Sequence, residues 1–305
     1  MTLAGIIQSV IDILKQINDK QEKSRIGADS LLYDYFKTHR FVGSKDRKEI
    51  SRLTWDILRL KLKISYLFGQ FNPRQAMLYY LRYVEKDEIE SITEIFNGAK
   101  YAPTKLEDDE IDFLENFKEP SLPDYVQNNT PEWLWQKVCE VYGNEKNAAR
   151  QMQSFAESAE IDIIVNPNKA SREKLFERLN ELEIPAKLST YSPLGIKILR
   201  RVNLLNLPEF QNGHFEIQDE GSQILSIIAS QASLSLTNTP AKRVLDYCAG
   251  AGGKTLGMAF FMNKETEFVA TDLYSVRLKE ARMRFYRAGL ESQTRILKLE
   301  DLSKK

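Results

Sequence analysis

The residues best suited to chemistry in this chain lie between Val244 and Thr255. Apolar, β-favouring positions lead into an acid, Asp246, and then into a loop of small residues with glycines at 250, 252 and 253. Glycine lets a backbone come close to a ligand and adopt φ angles that a side chain would forbid. An apolar stretch follows and predicts a helix. A strand, a glycine loop and a helix in this order predict a nucleotide-type site, in which loop amides and a helix N-terminus face the ligand.

Spacing tests two common kinds of glycine loop. A phosphate-binding loop of the type G-x-x-x-x-G-K-[ST] would end at Gly253, Lys254 and Thr255, but Cys248 occupies its first glycine position. A dinucleotide loop of the type G-x-G-x-x-G would begin at Gly250 and Gly252, but Thr255 occupies its third glycine position. Each pattern therefore fails by one glycine.

An acid also ends the next predicted strand, which runs from Glu267 to Asp272. In doubly wound sheets an acid at this place accepts hydrogen bonds from ribose hydroxyls. A glycine loop without the pyrophosphate pattern, combined with a ribose acid, favours an adenosine ligand that lacks a diphosphate. S-adenosylmethionine is the candidate ligand.

Three segments resemble a known family, the RNA 5-cytosine methyltransferases of the Fmu/Sun type. Asp246–Thr255 reads D-Y-C-A-G-A-G-G-K-T and resembles the family loop D-x-C-A-A-P-G-G-K-T. Phe215–Gln223 is similar to the family segment F-x-V-Q-D-E-x-S-Q, and Asp272–Leu278 is similar to D-x-x-x-x-R-L. Ala251 stands where the family has proline. This change should loosen the loop slightly without removing an amide donor.

The resemblance implies that S-adenosylmethionine is the cofactor and that RNA is the substrate. In the family an aspartate after the third strand lies beside the adenine, and Asp301 is the matching position here. The candidate cofactor-binding residues are Cys248, Ala249, Gly250, Ala251, Gly252, Gly253, Lys254, Asp272 and Asp301.

Composition limits the partners. The 305 residues carry 43 basic and 43 acidic side chains, so an RNA-binding surface must be local. The two cysteines are far apart, which argues against a disulfide framework and fits a reducing cytosol. With only His39 and His214 as histidines, there is no metal-ligand spacing. The N-terminus lacks signal-peptide features and no run is apolar enough to span a bilayer. We therefore expect a soluble, cytoplasmic protein without a metal or a membrane partner.

The predicted fold is multidomain. Residues 1–156 are almost entirely helical and resemble the family's NusB-like, RNA-binding N-terminal domain. Residues 157–212 form a small α+β module that resembles the family's RRM-like module. Residues 213–305 form an α/β, Rossmann-like class I methyltransferase domain that is incomplete, since only three of its strands are predicted.

A local basic region lies between Lys37 and Lys63, with nine basic residues against three acids. The charges alone leave two interpretations open, an RNA-backbone surface or an ordinary solvated helix face. The stretch Arg40–Lys48 resembles the NusB-like domain, which favours RNA.

In the helices around this region and beyond it, Ser44 and Thr130 are predicted as N-caps. Trp133 and Trp135 are predicted mainly as packing residues, although base stacking stays an alternative.

In the α+β module, strands are predicted over Ile161–Val165 and Gly195–Leu199, with a capped helix over Ser171–Leu182. Asn166 matches an asparagine at a strand end of the family's module. The aromatic signature with which RRM domains stack bases is missing, so we expect the module to place the substrate and not to read its sequence.

In the α/β domain, helices are predicted over Glu220–Ala232 and Ser275–Ala288, and strands over Arg243–Tyr247, Phe268–Asp272 and Thr294–Leu299. The second helix should bury Leu278, Ala281, Phe285 and Ala288, and Gly289 should end it. Arg277, Arg284 and Arg287 lie on its other side and are expected to be solvated.

Cytosine carbon 5 is a poor nucleophile, so the family's chemistry needs a thiolate that adds to carbon 6. The family carries its two cysteine loops after later strands than those predicted here. Cys248 belongs to the cofactor loop and Cys139 to the helical region, so neither is predicted to be the nucleophile. The prediction is the cofactor-binding part of an RNA cytosine-C5 methyltransferase, inactive as these 305 residues stand. A non-catalytic RNA-binding remnant and a methyltransferase with a non-RNA substrate remain alternatives.

Overall fold

The structure is a computed structural model that describes residues 1–21, 26–156, 159–200 and 202–299. It divides into two compact units, residues 1–158 and residues 159–305. No helix in the described ranges is both long and apolar enough to cross a membrane.

The described part of the first unit is helical. Its core is organised around α1, whose apolar residues recur every three or four positions and are almost fully buried, including Val10, Leu14 and Ile17. The helices are α1 (Leu3–Gln21), α2 (Ala28–Thr38), α3 (Ser44–Arg59), α4 (Lys61–Phe68), α5 (Pro73–Tyr79, continued by a π-helical turn Tyr80–Val84), α6 (Ile89–Ile95), α7 (Asp108–Asn116), α8 (Asp124–Gln127), α9 (Glu132–Tyr142) and α10 (Glu145–Ala156).

Two predicted N-caps in this unit are wrong. Ser44 is the first residue of α3, and Gly43 takes the N-cap position without a side-chain bond. Pro131 is the N-cap of α9, while the Thr130 hydroxyl donates to the Asn128 carbonyl at 2.9 Å. In both places the chain enters the helix one residue away from the expected position, so the side-chain oxygen no longer faces the first helical amides.

The two tryptophans of α9 also differ. Trp135 is buried, as expected of a packing residue, but Trp133 is 69% exposed and the packing prediction is wrong for it.

The second unit contains two sheets. The first is antiparallel with the order β2-β3-β1-β4, formed by β1 (Ile161–Val165), β2 (Ala186–Leu188), β3 (Gly195–Ile198) and β4 (Phe215–Ile217). The helix α11 (Arg172–Glu181) packs on it, and Ser171 caps α11 by accepting from the Lys174 amide. A 3₁₀ turn (Leu204–Asn206) and α12 (Pro208–Gln211) connect β3 to β4.

The second sheet is parallel with the order β5-β6-β7, formed by β5 (Arg243–Asp246), β6 (Glu267–Ala270) and β7 (Thr294–Ile296). Its helices are α13 (Glu220–Thr237), α14 (Gly253–Phe261) and α15 (Ser275–Ala288). The three strands end earlier than predicted, and α13 is longer. The buried face of α15 and the left-handed Gly289 at its end are as predicted. Within the described residues β5 pairs only with β6.

A buried carboxylate joins the two sheets. Glu216 on β4 keeps only 3% of its side chain exposed and accepts from Arg284 Nε at 3.0 Å and from Arg287 Nε at 2.8 Å. The predicted solvation of these two arginines is therefore wrong, because they lie on the side of α15 that meets β4. Arg277, which was also predicted to be solvated, is exposed.

Two residues at and after the end of β1 donate hydrogen bonds to backbone carbonyls at the end of α15. The amide of Asn166, at the end of β1, donates to the carbonyls of Ala288 and Gly213 at 2.9 and 3.0 Å. Lys169 Nζ donates to the Arg287 carbonyl at 2.7 Å. The antiparallel sheet and α15 therefore form one hydrogen-bonded junction.

We predict that Glu216→Ala destabilises the second unit by about 2–4 kcal/mol, because it leaves two largely buried guanidinium groups without their carboxylate. Glu267→Ala is the matched control. It removes a carboxylate that pairs with the more exposed Arg243 and Arg295, and should cost at most about 1 kcal/mol.

Urea unfolding of the full chain measures both variants. All three tryptophans lie in the first unit, so tryptophan fluorescence follows that unit while circular dichroism follows both. We expect Glu216→Ala to move a circular-dichroism transition and leave the fluorescence transition in place. Equal shifts for Glu216→Ala and Glu267→Ala would contradict the role of the junction.

Candidate functional site

A hydrogen bond between two side chains joins the first residue of the glycine-loop motif to its last. Asp246 ends β5, and its Oδ2 accepts from the hydroxyl of Thr255, in the first turn of α14, at 2.6 Å. The Thr255 side chain is buried. Because this bond closes the loop at its base, residues 247–254 are held as a short arch between strand and helix.

The parallel pairing of β5 and β6 brings the second acid to the same edge. Asp246 is in register with Ala270, so Asp272 follows β6 at the level where the loop leaves β5. Asp272 Oδ2 accepts from the Gly250 amide at 2.9 Å, and its Oδ1 accepts from the Tyr274 amide at 2.8 Å. The structure therefore brings together the loop and the acid that the sequence singled out.

These amide contacts favour the ionised form of Asp272. Hydrogen bonds from the Tyr274 and Gly250 amides hold the pKa of Asp272 below its ordinary value, so this carboxyl is ionised at neutral pH. An ionised carboxylate offers about four lone-pair positions, and the two amides use two of them. Asp272 can therefore accept hydrogen bonds from further donors.

Two glycines of the loop have left-handed backbones for different reasons. A Cβ at Gly252 (φ 76°) would lie 2.7 Å from the Phe285 ring, so glycine is needed there for packing against α15. A Cβ at Gly250 (φ 56°) would meet no atom within 4 Å. Gly250 therefore presents its backbone to open space.

The start of α14 adds backbone donors. Gly252 is the N-cap of α14, and no side chain caps this helix. The first amides of an α-helix have no partner within the helix, and an uncapped N-terminus leaves them for a ligand or solvent.

Two side chains outside the loop donate hydrogen bonds to its backbone carbonyls. Gln218, which follows β4, donates from Nε2 to the Gly253 carbonyl at 3.1 Å. Arg284 Nη1 donates to the Ala251 carbonyl at 3.1 Å while its Nε contacts Glu216. The antiparallel sheet and α15 thus fix the loop carbonyls and leave open the side of Gly250 on which a Cβ would lie.

Four positioning residues were not assigned a role from the sequence. Gln218 and Glu216 lie inside the segment that resembles F-x-V-Q-D-E-x-S-Q, and Asp246 and Thr255 begin and end the loop motif. The motifs were therefore the available signal, but spacing along the chain does not reveal contacts between residues that are far apart in sequence.

The predicted site residues are distributed as follows. The seven loop positions from Cys248 to Lys254 form the arch, with Cys248 and Lys254 exposed and Ala249 buried. Asp272 contacts the arch through Gly250. Asp301 lies outside the described residues. Among the residues described, no group of three or more His, Cys, Asp or Glu side chains is gathered as a metal site requires.

Comparisons with known proteins show which proteins this chain resembles. A family model described as Methyltr_RsmF/B-like, ferredoxin-like domain matches residues 130–205. The crystal structure of the protein PH0851 superposes on 97% of this chain and 69% of that protein, with a TM-score of 0.66 at 20% identity. This likeness shows the fold.

Sequence relatives are more specific. A probable ribosomal RNA small subunit methyltransferase B from Synechocystis is 23% identical over 310 residues, which cover 92% of this chain. The chain spans 66% of that relative's length. A 26S rRNA (cytosine-C(5))-methyltransferase, nsun-1 of Caenorhabditis elegans, is 26% identical over 228 residues, covering 67% of this chain and 33% of that protein.

The ferredoxin-like match and these relatives show that this chain is similar to RNA methyltransferases. More particularly, it is a homologue of the ribosomal RNA small subunit methyltransferase B proteins of the Fmu/Sun type, as its sequence motifs indicated.

Proposed function

We propose that these 305 residues form the RNA-binding and cofactor-binding part of an S-adenosylmethionine-dependent cytosine-C5 methyltransferase that acts on ribosomal RNA in the cytoplasm. Residues 1–156 would be a NusB-like RNA-binding domain, residues 157–212 an RRM-like module, and residues 213–305 the beginning of a Rossmann-like methyltransferase domain. The observation that carries the proposal is the contact between Asp272 and the open glycine loop.

The site's residues fit this cofactor. S-adenosylmethionine supplies an activated methyl group, and its adenosine carries ribose hydroxyls but no phosphate. The glycine loop lacks the pyrophosphate pattern, and an ionised Asp272 beside it can accept hydrogen bonds from ribose hydroxyls. Cys248, Ala249, Gly250, Ala251, Gly252, Gly253 and Lys254 would form the wall along the ligand. Asp301 would complete the site beside the adenine.

The cysteines do not fit the role of nucleophile. A thiolate that adds to cytosine carbon 6 needs a lowered thiol pKa. Burial, together with the charges of Glu145 and Asp124, raises the pKa of Cys139 instead. Cys248 lies in the loop that would face the cofactor. We infer that the nucleophile is not among these 305 residues.

Several of the basic residues between Lys37 and Lys63 already pair with other groups of the protein. Arg52 contacts Glu49 at 2.7 Å and Glu85 at 2.9 Å, and Arg59 contacts Asp56 at 2.9 Å. Lys63 pairs with Glu119 at 2.8 Å, and Arg47 donates to the Val42 carbonyl at 2.9 Å. The exposed cations we assign to RNA phosphates are Lys37, Arg40, Lys45 and Lys48.

The first test concerns the cofactor. Asp272→Ala should weaken S-adenosylmethionine binding by about 1.5–3 kcal/mol, the range for hydrogen bonds to a charged group. Calorimetry on the full chain measures this, with Glu267→Ala, at the other end of β6, as the control expected to bind normally.

An analogue without ribose hydroxyls makes the test specific. It should bind the native chain more weakly than the parent ligand does, and it should bind Asp272→Ala no more weakly than the parent ligand does. Unchanged affinity in Asp272→Ala would refute the assignment of the ribose.

The second test concerns RNA. Replacing Lys45 and Lys48 with glutamine should lower affinity for ribosomal RNA fragments and reduce the log–log salt slope by roughly one unit per lost phosphate contact. Arg52→Gln is the matched control on α3, because carboxylates already surround its charge. If the double variant keeps the native slope across a salt titration, the patch is ordinary solvated surface.

The third test concerns catalysis. We expect the purified 305-residue chain to transfer no tritiated methyl group to cytosine carbon 5 of ribosomal RNA, although it binds the cofactor. Transfer by this chain, and its loss in Cys248→Ser, would show that the loop cysteine is the nucleophile after all.

A further inference from the structure

A cavity of about 690 Å³ opens in the helical unit, and aromatic rings line much of it. His39, which follows α2, stacks on Tyr35 at 4.0 Å with an angle of 15° between the rings. Phe41 meets His39 edge to face at 5.8 Å. Tyr101, from the loop after α6, lines the same cavity, as does Lys100. The volume lies within the range of small-molecule sites.

Two of these rings are unusually exposed. Phe41 and Tyr101 are each 74% accessible to solvent although both line the cavity. Tyr101 also has a left-handed backbone (φ 70°), which is an outlier for a bulky side chain. Such backbone strain is concentrated at ligand sites, because the surrounding structure must hold it there. Both rings therefore line the cavity without being buried in the protein interior.

The cavity also has polar groups that can contact the edge of a base. His39 Nδ1 lies 2.8 Å from the Tyr35 carbonyl, which can only accept, so Nδ1 carries the proton and Nε2 is the acceptor of the neutral ring. Asp12 lines the cavity, and Gln8 Nε2 donates to its Oδ1 at 2.8 Å. The Asp12 carboxylate and His39 Nε2 are both acceptors, which suits exocyclic amino groups.

One cation lines the cavity, and two more lie close to its lining residues in sequence. Lys100 Nζ lies 5.1 Å from the centre of the Tyr101 ring. Arg40 is exposed and lies in sequence between two lining residues, His39 and Phe41, and Lys37 is exposed in the last turn of α2. Aromatic stacking surfaces combined with nearby cations are the features by which proteins hold single-stranded nucleic acid.

We propose that this cavity receives one unpaired base of the RNA. Phe41 and Tyr101 stack on the base, and Arg40 and Lys100 contact the phosphates that flank it. The inference rests on the RNA-binding function proposed above and adds a preference for unpaired over paired RNA, because a base within a duplex cannot enter such a cavity.

The experiment compares a single-stranded RNA that contains 2-aminopurine with the same sequence in a duplex, using the full chain. Binding of the single strand should quench 2-aminopurine fluorescence through stacking. A Phe41→Ala/Tyr101→Ala variant should bind the single strand roughly 5–150-fold more weakly, as expected for one stacked base, and should lose the quench. Its affinity for the duplex should not change.

Tyr33→Ala is the matched control, since Tyr33 is 69% exposed on α2 but does not line the cavity. Phe41→Tyr should keep both the affinity and the quench, and tryptophan fluorescence during unfolding checks that the variants are folded. Equal losses on single strand and duplex, or no loss on either, would overturn the cavity proposal alone. Failure of the native chain to bind any RNA would overturn the proposed function as well.

Discussion

The carboxylate of Glu216 is the group on which the second unit depends. It is buried between Arg284 and Arg287, and Arg284 also donates to the Ala251 carbonyl in the glycine loop. One charged cluster therefore connects the antiparallel sheet, the helix α15 and the loop. Buried charges are tolerated only when their partners are in place, so this cluster makes the loop geometry conditional on the junction of the two sheets.

This arrangement explains how the loop can be both fixed and open. Its carbonyls are held by Gln218 and Arg284, and Thr255 closes its base on Asp246. The remaining side of the arch carries the backbone of Gly250 and the ionised Asp272. A site held in this way needs little rearrangement to bind a ligand, and its ionised carboxylate can accept hydrogen bonds from ribose hydroxyls.

Local patterns predicted much of the fold. The limits of β1 and α15, the buried face of α15, the cap Ser171 and the left-handed Gly289 all follow from periodicity and capping rules that act within a few residues. A ferredoxin-like family model matches residues 130–205, which overlap the RRM-like module predicted at residues 157–212 but begin before it. Two of the errors concern contacts between residues that are far apart in the sequence. Arg284 and Arg287 are on the polar side of their helix, and nothing nearby in sequence indicates that Glu216 is buried against them. Ser44 and Thr130 failed as caps because each helix began one residue away from the expected place.

The most direct measurement is a crystal structure of the chain with S-adenosylhomocysteine bound. We predict density along residues 248–254, on the open side of Gly250, with the ribose oxygens within hydrogen-bonding distance of Asp272. A ligand ordered elsewhere on the chain, or one whose ribose faces away from Asp272, would contradict the proposed site.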